Sequence, residues 1–297
     1  MKKHIRYTRA DVVFLAIDWA LLSLFLLILA YPLLYVVSAS FSGGLSTMRL
    51  SLIPTKFSLE GYRAVFQYRY VWIGYRNSIY YTALYTLISL AVTICCAYPL
   101  SRSDFKGGKV MMALCLFTMY FSGGLIPTYI WMRQLHLLDT TWVLVLPGCL
   151  SVYNMIVMRT YFANQIPGEL HEAAMLDGCG DFRFLYGIVL PLSGPILAVI
   201  ALYYAVAMWN AYFSAMIYIS TRAKLPLPNF LREILLLNMV NGMEGNLNDL
   251  ENLAKMEQRA ELMKYSLIIV ASLPVMLLYP FVQKYFVKGV MIGAVKG

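Results

Sequence analysis

The sequence predicts an all-α protein embedded in a membrane, and three observations support this. Of the 297 residues, 60% are hydrophobic and only 13% are charged, whereas a soluble domain has about 25% charged residues. Apolar stretches of about 20 residues, the length that crosses a bilayer as a helix, recur along the chain. Tyr and Trp, which favour membrane interfaces, number 23 and 5. Runs of this length favour helices over a β-barrel, whose strands are shorter and alternate.

We expect six membrane-spanning helices. The basic start of the chain, MKKHIRYTRA, precedes an apolar run that is longer than the about 7–15 residues typical of a signal peptide. This run predicts a retained first span, although the small residues near Ala39 weakly resemble a cleavage site. Pro191 and Pro195 predict a kink in the long fifth span. The six predicted spans cover approximately residues 12–38, 77–100, 110–131, 141–162, 184–219 and 263–286.

The charges before the first span favour a cytoplasmic N-terminus. Six spans then return the C-terminus to the cytoplasm, together with the loops at 101–109 and 163–183. On the outer side, residues 58–76 are aromatic and basic and suit a helix at the membrane interface. Residues 240–262 are polar and acidic and predict a solvated outer segment. The basic residues that set this orientation are Lys2, Lys3, Arg6 and Arg9.

The predicted cytoplasmic loop 164–191 begins like a short helix. Pro167 suits the first turn, where its missing N–H costs nothing, and the macrodipole favours Glu169 and Glu172 near the start. Apolar residues at i, i+3 and i+4 give this helix one low apolar face. That face consists of Leu170, Ala173 and Ala174.

The same loop then predicts a sharp turn and a second helix. Gly178 lies where a left-handed residue would end the first helix. Asp181 can cap the next helix, which leads into the membrane. An ordinary capped loop explains this pattern, and so does a docking site for a partner protein.

One motif in this loop resembles a known family. Glu172-Ala173-Ala174, then Gly178, then Ile188-Val189-Leu190-Pro191 match the EAA loop of bacterial ABC importer permeases at every fixed position. GGLIPTYI at 123–130, AVAMWNAYF at 205–213 and GVMIGAVKG at 289–297 resemble the carbohydrate-uptake branch, particularly its lipoprotein-associated oligosaccharide permeases. The resemblance covers most of residues 75–297.

The resemblance implies a type I ABC importer with a six-helix transmembrane fold similar to that of maltose permeases. It implies an N-terminal part at 1–74, a transmembrane domain at 75–287 and a cytoplasmic tail at 288–297. The EAA loop (residues 164–191) would dock on an ATPase subunit and couple its closure to the spans. The residues implied in coupling are Glu172, Ala173, Ala174, Asp177 and Gly178.

The same resemblance implies the assembly and its location. Two permeases, this chain and a second, homologous one, would pair in the bacterial cytoplasmic membrane above two ATPase subunits. An extracytoplasmic solute-binding lipoprotein would deliver the sugar. Membrane lipid surrounds the complex, and no nucleic-acid partner is expected.

The sequence predicts no enzyme activity. A phosphate-binding loop needs G-x-x-x-x-G-K-[ST], and the nearest match, Gly107-Gly108-Lys109, lacks both the spacing and the hydroxyl. The three histidines are scattered, and HEAAM lacks the second His of a zinc protease helix. We therefore expect no catalytic, metal or cofactor site in this chain, and expect ATP and Mg²⁺ to be bound by the ATPase partners.

Polar and aromatic residues inside spans are candidates for a sugar pathway, because a polar group in a membrane is costly and often marks a route. Asp18 in the first span is one such group, although it suits the inner interface equally. On the fifth span, a polar stripe recurs at i, i+7 and i+11. Interhelical hydrogen bonding and packing would explain the same residues. The candidates are Tyr153, Asn154, Tyr203, Trp209, Asn210 and Ser214.

The net charge of +9 suggests an acidic cargo such as a uronate-containing oligosaccharide, although lipid headgroups also attract basic residues. The predicted function is thus the permease subunit of an ATP-driven sugar importer. The alternatives are an ATP-independent channel or secondary carrier, and a membrane scaffold that binds an ATPase but conducts nothing.

Overall fold

The computed structural model describes residues 8–42, 57–240, 263–280 and 283, and these residues are almost wholly helical. Within them, the only extended pairing is a bridge between Ser42 and Phe57. The prediction of an all-α fold is confirmed. The predicted tail 288–297 and nearly all of the outer segment 240–262 lie outside the described residues.

Packing divides the chain into two units, Met1–Tyr68 with Leu231–Ser272 and Arg69–Phe230 with Leu273–Gly297. The first contains α1 (Arg9–Ser40), which begins with a capping box formed by Thr8 and Asp11. The chain buries only the last three residues of α1, and its apolar sides are exposed. The predicted first span is confirmed as one continuous helix.

The aromatic segment 58–76 does not form one interfacial helix. It contains α2 (Glu60–Gln67), which ends where Tyr68 adopts an extended conformation. Residues from Arg69 onward already belong to α3 (Arg69–Ser101). The prediction of a separate helix across 58–76 is therefore wrong in its second half, and the second span is longer than predicted.

The core of the second unit is formed by α3, α7 (Val152–Gln165) and α11 (Gly194–Trp209). Small residues of α3 recur every four positions on a fully buried face, which allows close helix packing: Ser89, Thr93 and Ala97. Larger side chains of α7 and α11 fill the core against them. These are Met155, Met158, Phe162, Ile200 and Tyr204.

Glycine and proline break three of the predicted spans. The third consists of α4 (Gly108–Tyr120) and α5 (Leu125–Gln134), bent by 111° at Gly124, whose φ is +84°. The fourth consists of the short α6 (Trp142–Val145) and α7, separated by Pro147 and by Gly148 at φ +77°.

The fifth predicted span is bent by 84° at Ser193, between the two prolines expected to kink it. Its first half contains α9 (Asp181–Phe184), a π-helical segment (Leu185–Val189) and α10 (Leu190–Leu192), and α11 forms the second half. The remaining elements are α8 (Gly168–Leu176), α12 (Phe213–Tyr218), a 3₁₀ turn (Arg222–Lys224), α13 (Leu227–Val240) and α14 (Met263–Pro280).

Three helices of the described chain, α1, α3 and α14, are long and apolar enough to cross a membrane, and up to five spans result if each bent pair counts as one. The predicted number of six spans is not confirmed. Hydrophobicity and length locate the apolar runs, but they do not detect the turns at Gly124, Gly148 and Ser193.

Candidate functional site

The EAA loop begins with α8, which a glycine turn ends. Gly178 has φ +73°, as predicted. The N–H of Gly178 donates to the carbonyl of Met175 at 3.0 Å, and that of Cys179 donates to the carbonyl of Ala174 at 2.8 Å. This pair of hydrogen bonds is the Schellman motif, which satisfies the last carbonyls of a helix.

The side chains of α8 point in different directions from those expected. Ala174 is buried among Phe184 and Leu185 in the core of the chain itself. Leu170 and Ala173 are exposed, so the three predicted apolar residues do not share one accessible face. The residues implied in coupling therefore differ in exposure. Ala174 is buried and packs α8 against the core, whereas the others are exposed: Glu172, Ala173, Asp177 and Gly178.

Large apolar side chains are exposed at the end of α8 and the start of α9. Leu176 is 90% exposed and Phe182 is 81% exposed, and Met175 is also exposed. Large apolar side chains that are exposed among polar residues are typical of interaction surfaces. The EAA loop exposes Leu176 and Phe182 as well as Glu172 and Asp177.

Asp181 has a contact that the sequence does not reveal. It is the first residue of α9 rather than its cap, which is Gly180, and its carboxylate Oδ1 accepts a hydrogen bond from Nη1 of Arg102. The prediction that Asp181 caps the helix is wrong because this ion pair takes the carboxylate. His171 Nε2 of α8 lies 3.5 Å from the same Asp181 oxygen.

Arg102 also contacts residues close to it in sequence, at the end of α3 and in the loop that follows. Its Nε donates to Asp104 Oδ1 at 2.9 Å, and its Nη1 donates to the Tyr98 hydroxyl at 3.2 Å. The guanidinium lowers the pKa of Asp104 to about 2. We call Arg102, Asp104 and Asp181 the Arg102 cluster; it joins residues 79 positions apart.

At the other end of α3, residues 218–227 form a tightly bonded segment. Asp139, at φ +57°, accepts hydrogen bonds from Thr221 Oγ1 at 2.7 Å and from Lys224 Nζ at 2.8 Å. Lys224 and Thr221 hold the pKa of the Asp139 carboxyl well below its usual range. The Arg222 guanidinium lies 4.2 Å from the Tyr70 ring centroid.

Two side chains of α3 hold the same segment. Asn77 Nδ2 donates to the carbonyls of Ala223 at 2.8 Å and Leu225 at 3.0 Å, and the Tyr81 hydroxyl donates to that of Lys224 at 2.9 Å. Segment 218–227 is therefore fixed to the N-terminal part of α3.

The predicted sugar-pathway residues of the fifth span lie on more than one helix. α11 ends at Trp209, where Asn210 Nδ2 donates to the carbonyl of Val206 at 2.9 Å. Ser214 lies on the next helix, so the predicted stripe of Tyr203, Asn210 and Ser214 is wrong. The bond of Asn210 to its own helix competes with helix continuation.

Among the other candidates, Tyr153 and Tyr203 are exposed, and Asn154 and Trp209 are buried. The Asn154 N–H donates to the Ser151 hydroxyl at 3.3 Å, which caps α7. The Trp209 ring lies 6.1 Å from that of Tyr75. A pathway role of these residues stays a prediction.

Sequence reasoning missed a buried polar contact at the centre of the core. The Tyr204 hydroxyl lies 2.7 Å from Thr93 Oγ1 and accepts a hydrogen bond from the N–H of Ser151 at 3.1 Å. The ring of Tyr85 packs edge-on against Tyr204, and its hydroxyl donates to the carbonyl of Gly148 at 2.9 Å. Together these contacts join α3, α7 and α11.

Within the described residues, no group of three or more His, Cys, Asp or Glu side chains is arranged to hold a metal ion. A cavity of about 580 Å³ between α3, α11 and residues 274–278 is lined almost entirely by apolar side chains. Such a lining does not suit a sugar, whose hydroxyls need polar partners.

No family model matches the chain, but individual proteins do. This chain is 39% identical over 281 residues to the polygalacturonan/rhamnogalacturonan transport system permease protein YtcP of Bacillus subtilis (strain 168). The match covers 94% of this chain and 96% of that protein. The chain is also 28% identical over 277 residues to the arabinooligosaccharides transport system permease protein AraQ of Halalkalibacterium halodurans, covering 91% of this chain and 92% of that protein.

A solved structure extends this similarity to the fold. It is the crystal structure of a bacterial ABC transporter involved in the import of the acidic polysaccharide alginate; one of its chains is 32% identical and has a TM-score of 0.84. The match covers 95% of this chain and 99% of that chain. With the EAA loop and the apolar helices described above, these similarities show that the chain belongs to the family of carbohydrate ABC transporter permeases.

Proposed function

We propose that this chain forms half of the sugar pathway of a bacterial importer for acidic oligosaccharides, driven by separate ATPase subunits. The observation that carries the proposal is the EAA loop, with its rigid turn and exposed apolar side chains. As part of the proposal, the N- and C-termini lie in the cytoplasm, so the EAA loop faces the ATPase and segment 218–227 faces outward.

The geometry of α8 supports docking on an ATPase subunit. Leu176 and Phe182 could enter an apolar groove, with Glu172 and Asp177 available to basic residues at its rim. The Schellman turn at Gly178 fixes the angle between α8 and α9, so movement of the groove would be passed on to the chain. ATP and Mg²⁺ would bind the ATPase subunits.

The exposed helix faces support pairing with a second, homologous permease. No side chain of α4 is fully buried by the described chain, and only Met112 and Cys115 pack partly against its core. In α1 only the last three residues are buried. These apolar surfaces would contact the second permease or lipid. A solute-binding lipoprotein would deliver sugar from outside.

Three observations support an acidic cargo. One relative transports polygalacturonan or rhamnogalacturonan by its name, and the structural neighbour imports alginate, an acidic polysaccharide. The net charge of this chain is +9. Positive charge on the entry side would raise the local concentration of a polyanion.

The test is transport by the complete complex. The complex is purified through a tag on this chain, reconstituted in proteoliposomes with its binding protein, and supplied with internal ATP. We expect ATP-dependent uptake of trigalacturonate and much weaker uptake of neutral maltotriose, which has the same number of rings.

Two results would overturn the proposal in different ways. Uptake that continues without ATP, or after inactivation of the ATPase subunits, would indicate an ATP-independent carrier. Equal or greater uptake of maltotriose would indicate a neutral cargo. Mass spectrometry of the purified complex checks for the second permease.

A further inference from the structure

We infer that Arg102 is a positioning residue for energy coupling: it ties the EAA loop to the end of α3, so that displacement of the loop moves α3. This inference rests on the proposed function, because it presumes that an ATPase displaces α8. It concerns how this chain receives the movement, not where the ATPase docks.

Arg102 is well placed to transmit force. It follows Ser101, the last residue of α3, and its N–H donates to the carbonyl of Pro99 at 3.1 Å, which continues the helical turn. The side chain is only 17% exposed. Asp104 and the Tyr98 hydroxyl hold the guanidinium from the side of α3, while Asp181 binds it from the side of the EAA loop.

The covalent route from the EAA loop toward α11 is less direct than this contact. After α9 the chain passes through a π-helical segment and an 84° bend before α11 begins. Irregular helix turns and sharp bends are typical of functional hinges. A displacement of α9 could be absorbed there, whereas the Arg102–Asp181 contact bypasses both.

Other contacts converge on the same end of α3. The Arg159 Nε of α7 donates to the carbonyl of Leu100 at 2.7 Å. The His171 ring of α8 packs edge-on against Phe184 at 5.0 Å between centroids, and its Nε2 is near Asp181. α7, α8 and α9 therefore meet α3 at one junction.

The ion pairs add direction to an apolar contact. Ala174, Phe184 and Leu100 share the buried core at this junction. Apolar burial is non-directional, so it keeps the elements close but allows them to slide. The fork of Arg102, which holds a carboxylate of α9 and one of its own loop, opposes sliding.

α3 connects this junction to segment 218–227 at the other end of the helix. The helix has 33 residues and is therefore roughly 50 Å long at 1.5 Å per residue. It contributes Thr93 to the contact with Tyr204, and Asn77 and Tyr81 to segment 218–227. Movement received at Arg102 would reach both the centre of the core and the far end.

The experiment uses the complete complex in nanodiscs with Arg102→Gln, Asp181→Asn and their combination. It measures ATPase co-purification, basal ATP hydrolysis and its stimulation by sugar-loaded binding protein. We expect ATPase subunits and basal hydrolysis to be retained, while the ratio of stimulated to basal hydrolysis falls to about one. The double variant should be no worse than either single change, since both remove the same contact.

Lys106→Gln is the matched control, because Lys106 is an exposed cation on the same loop. Among the described residues, Lys106 forms no ion pair. It should retain wild-type stimulation. Arg102→Lys keeps the charge but not the fork, and should restore part of the ratio. If Arg102→Gln does not assemble, Asp181→Asn decides the question.

Wild-type stimulation in the Asp181→Asn variant would overturn the inference. Loss of ATPase co-purification in that variant would also overturn it, because the contact would then be needed for docking of the ATPase rather than for coupling. Failure of the proposed function has a different signature. In that case the wild-type complex itself would show no stimulation by loaded binding protein.

Discussion

The hydroxyl oxygens of Tyr204 and Thr93 lie 2.7 Å apart, and both side chains are buried. Tyr204→Phe removes this contact and leaves the Ser151 N–H without its acceptor. We expect a loss of about 1 kcal/mol of stability, measured as a lower Tm of the purified complex. Tyr186→Phe, at a 68% exposed position, is the control and should melt like wild type. Equal melting of the two variants would contradict a stabilising role of Tyr204.

The glycine turn of the EAA loop can be tested by making the same substitution, glycine to valine, at two positions that differ in φ. Gly178 has φ +73° and no atom within 4 Å of an added Cβ, so Gly178→Val acts mainly through backbone strain, which costs roughly 1 kcal/mol or more. We expect α8 to tilt, so that ATPase co-purification, stimulated hydrolysis and uptake all decrease.

Gly180→Val is the control for this change. Gly180 has φ −74° and equally open space around it, so valine there should cause no backbone strain and lose only the preference of glycine for the N-cap position. Gly178→Asn should fall between the two, because Asn adopts positive φ more readily than Val. Wild-type behaviour of Gly178→Val would remove the argument that the turn angle matters for coupling.

Gly74 allows α3 to approach the start of α13. A Cβ there would lie 2.9 Å from the Leu227 Cα, which is backbone and cannot rotate away. Gly74→Ala should therefore destabilise the protein by about 1–3 kcal/mol, detected as a lower Tm. Gly187→Ala, with no atom within 4 Å, should be neutral, and a similar fall in both variants would argue against steric overlap.

Asp139 predicts a dependence of stability on pH. In the folded chain, Lys224 and Thr221 hold its pKa below the ordinary Asp value of about 3.9. The ion pair therefore stabilises fully at neutral pH, and its contribution is lost as the pH falls below that value toward the folded pKa. Asp139→Asn should lower the Tm at pH 7.

The difference between wild type and Asp139→Asn isolates this residue from other titrating carboxylates. Thermal melting across pH 3–7 should show a constant difference above about pH 5, which shrinks below it. A difference that grows on acidification would have the wrong sign for a depressed pKa and would contradict the assignment.

The sequence predicted the features that depend on local chemistry. The apolar run at 12–38 lies within α1, because a long hydrophobic stretch needs no distant partner to be recognised. Gly178 adopts the predicted left-handed conformation, because few other residues accept it. The EAA motif also identified the family, which the relatives confirm.

The sequence did not predict features that depend on distant partners. Asp181 is a residue type that commonly caps helices, and it lies where a cap is expected in the sequence. Its contact with Arg102 exists only in the folded chain. Ser214 fits the period of Asn210 on an unbroken helix, but the helix ends before it. Tyr203 and Tyr204 are adjacent tyrosines that the sequence does not distinguish, yet only Tyr204 lies in the core.

The exposure of α1 has a consequence for how this protein unfolds. A helix surrounded by lipid keeps its backbone hydrogen bonds on heating, since no water is present to replace them. Circular dichroism should therefore retain helical signal after the packed helices have separated, and a two-state treatment of the whole signal would fail. Trp209, buried at the end of α11, provides a fluorescence probe of the packed helices alone in a variant whose other four tryptophans are replaced by Phe.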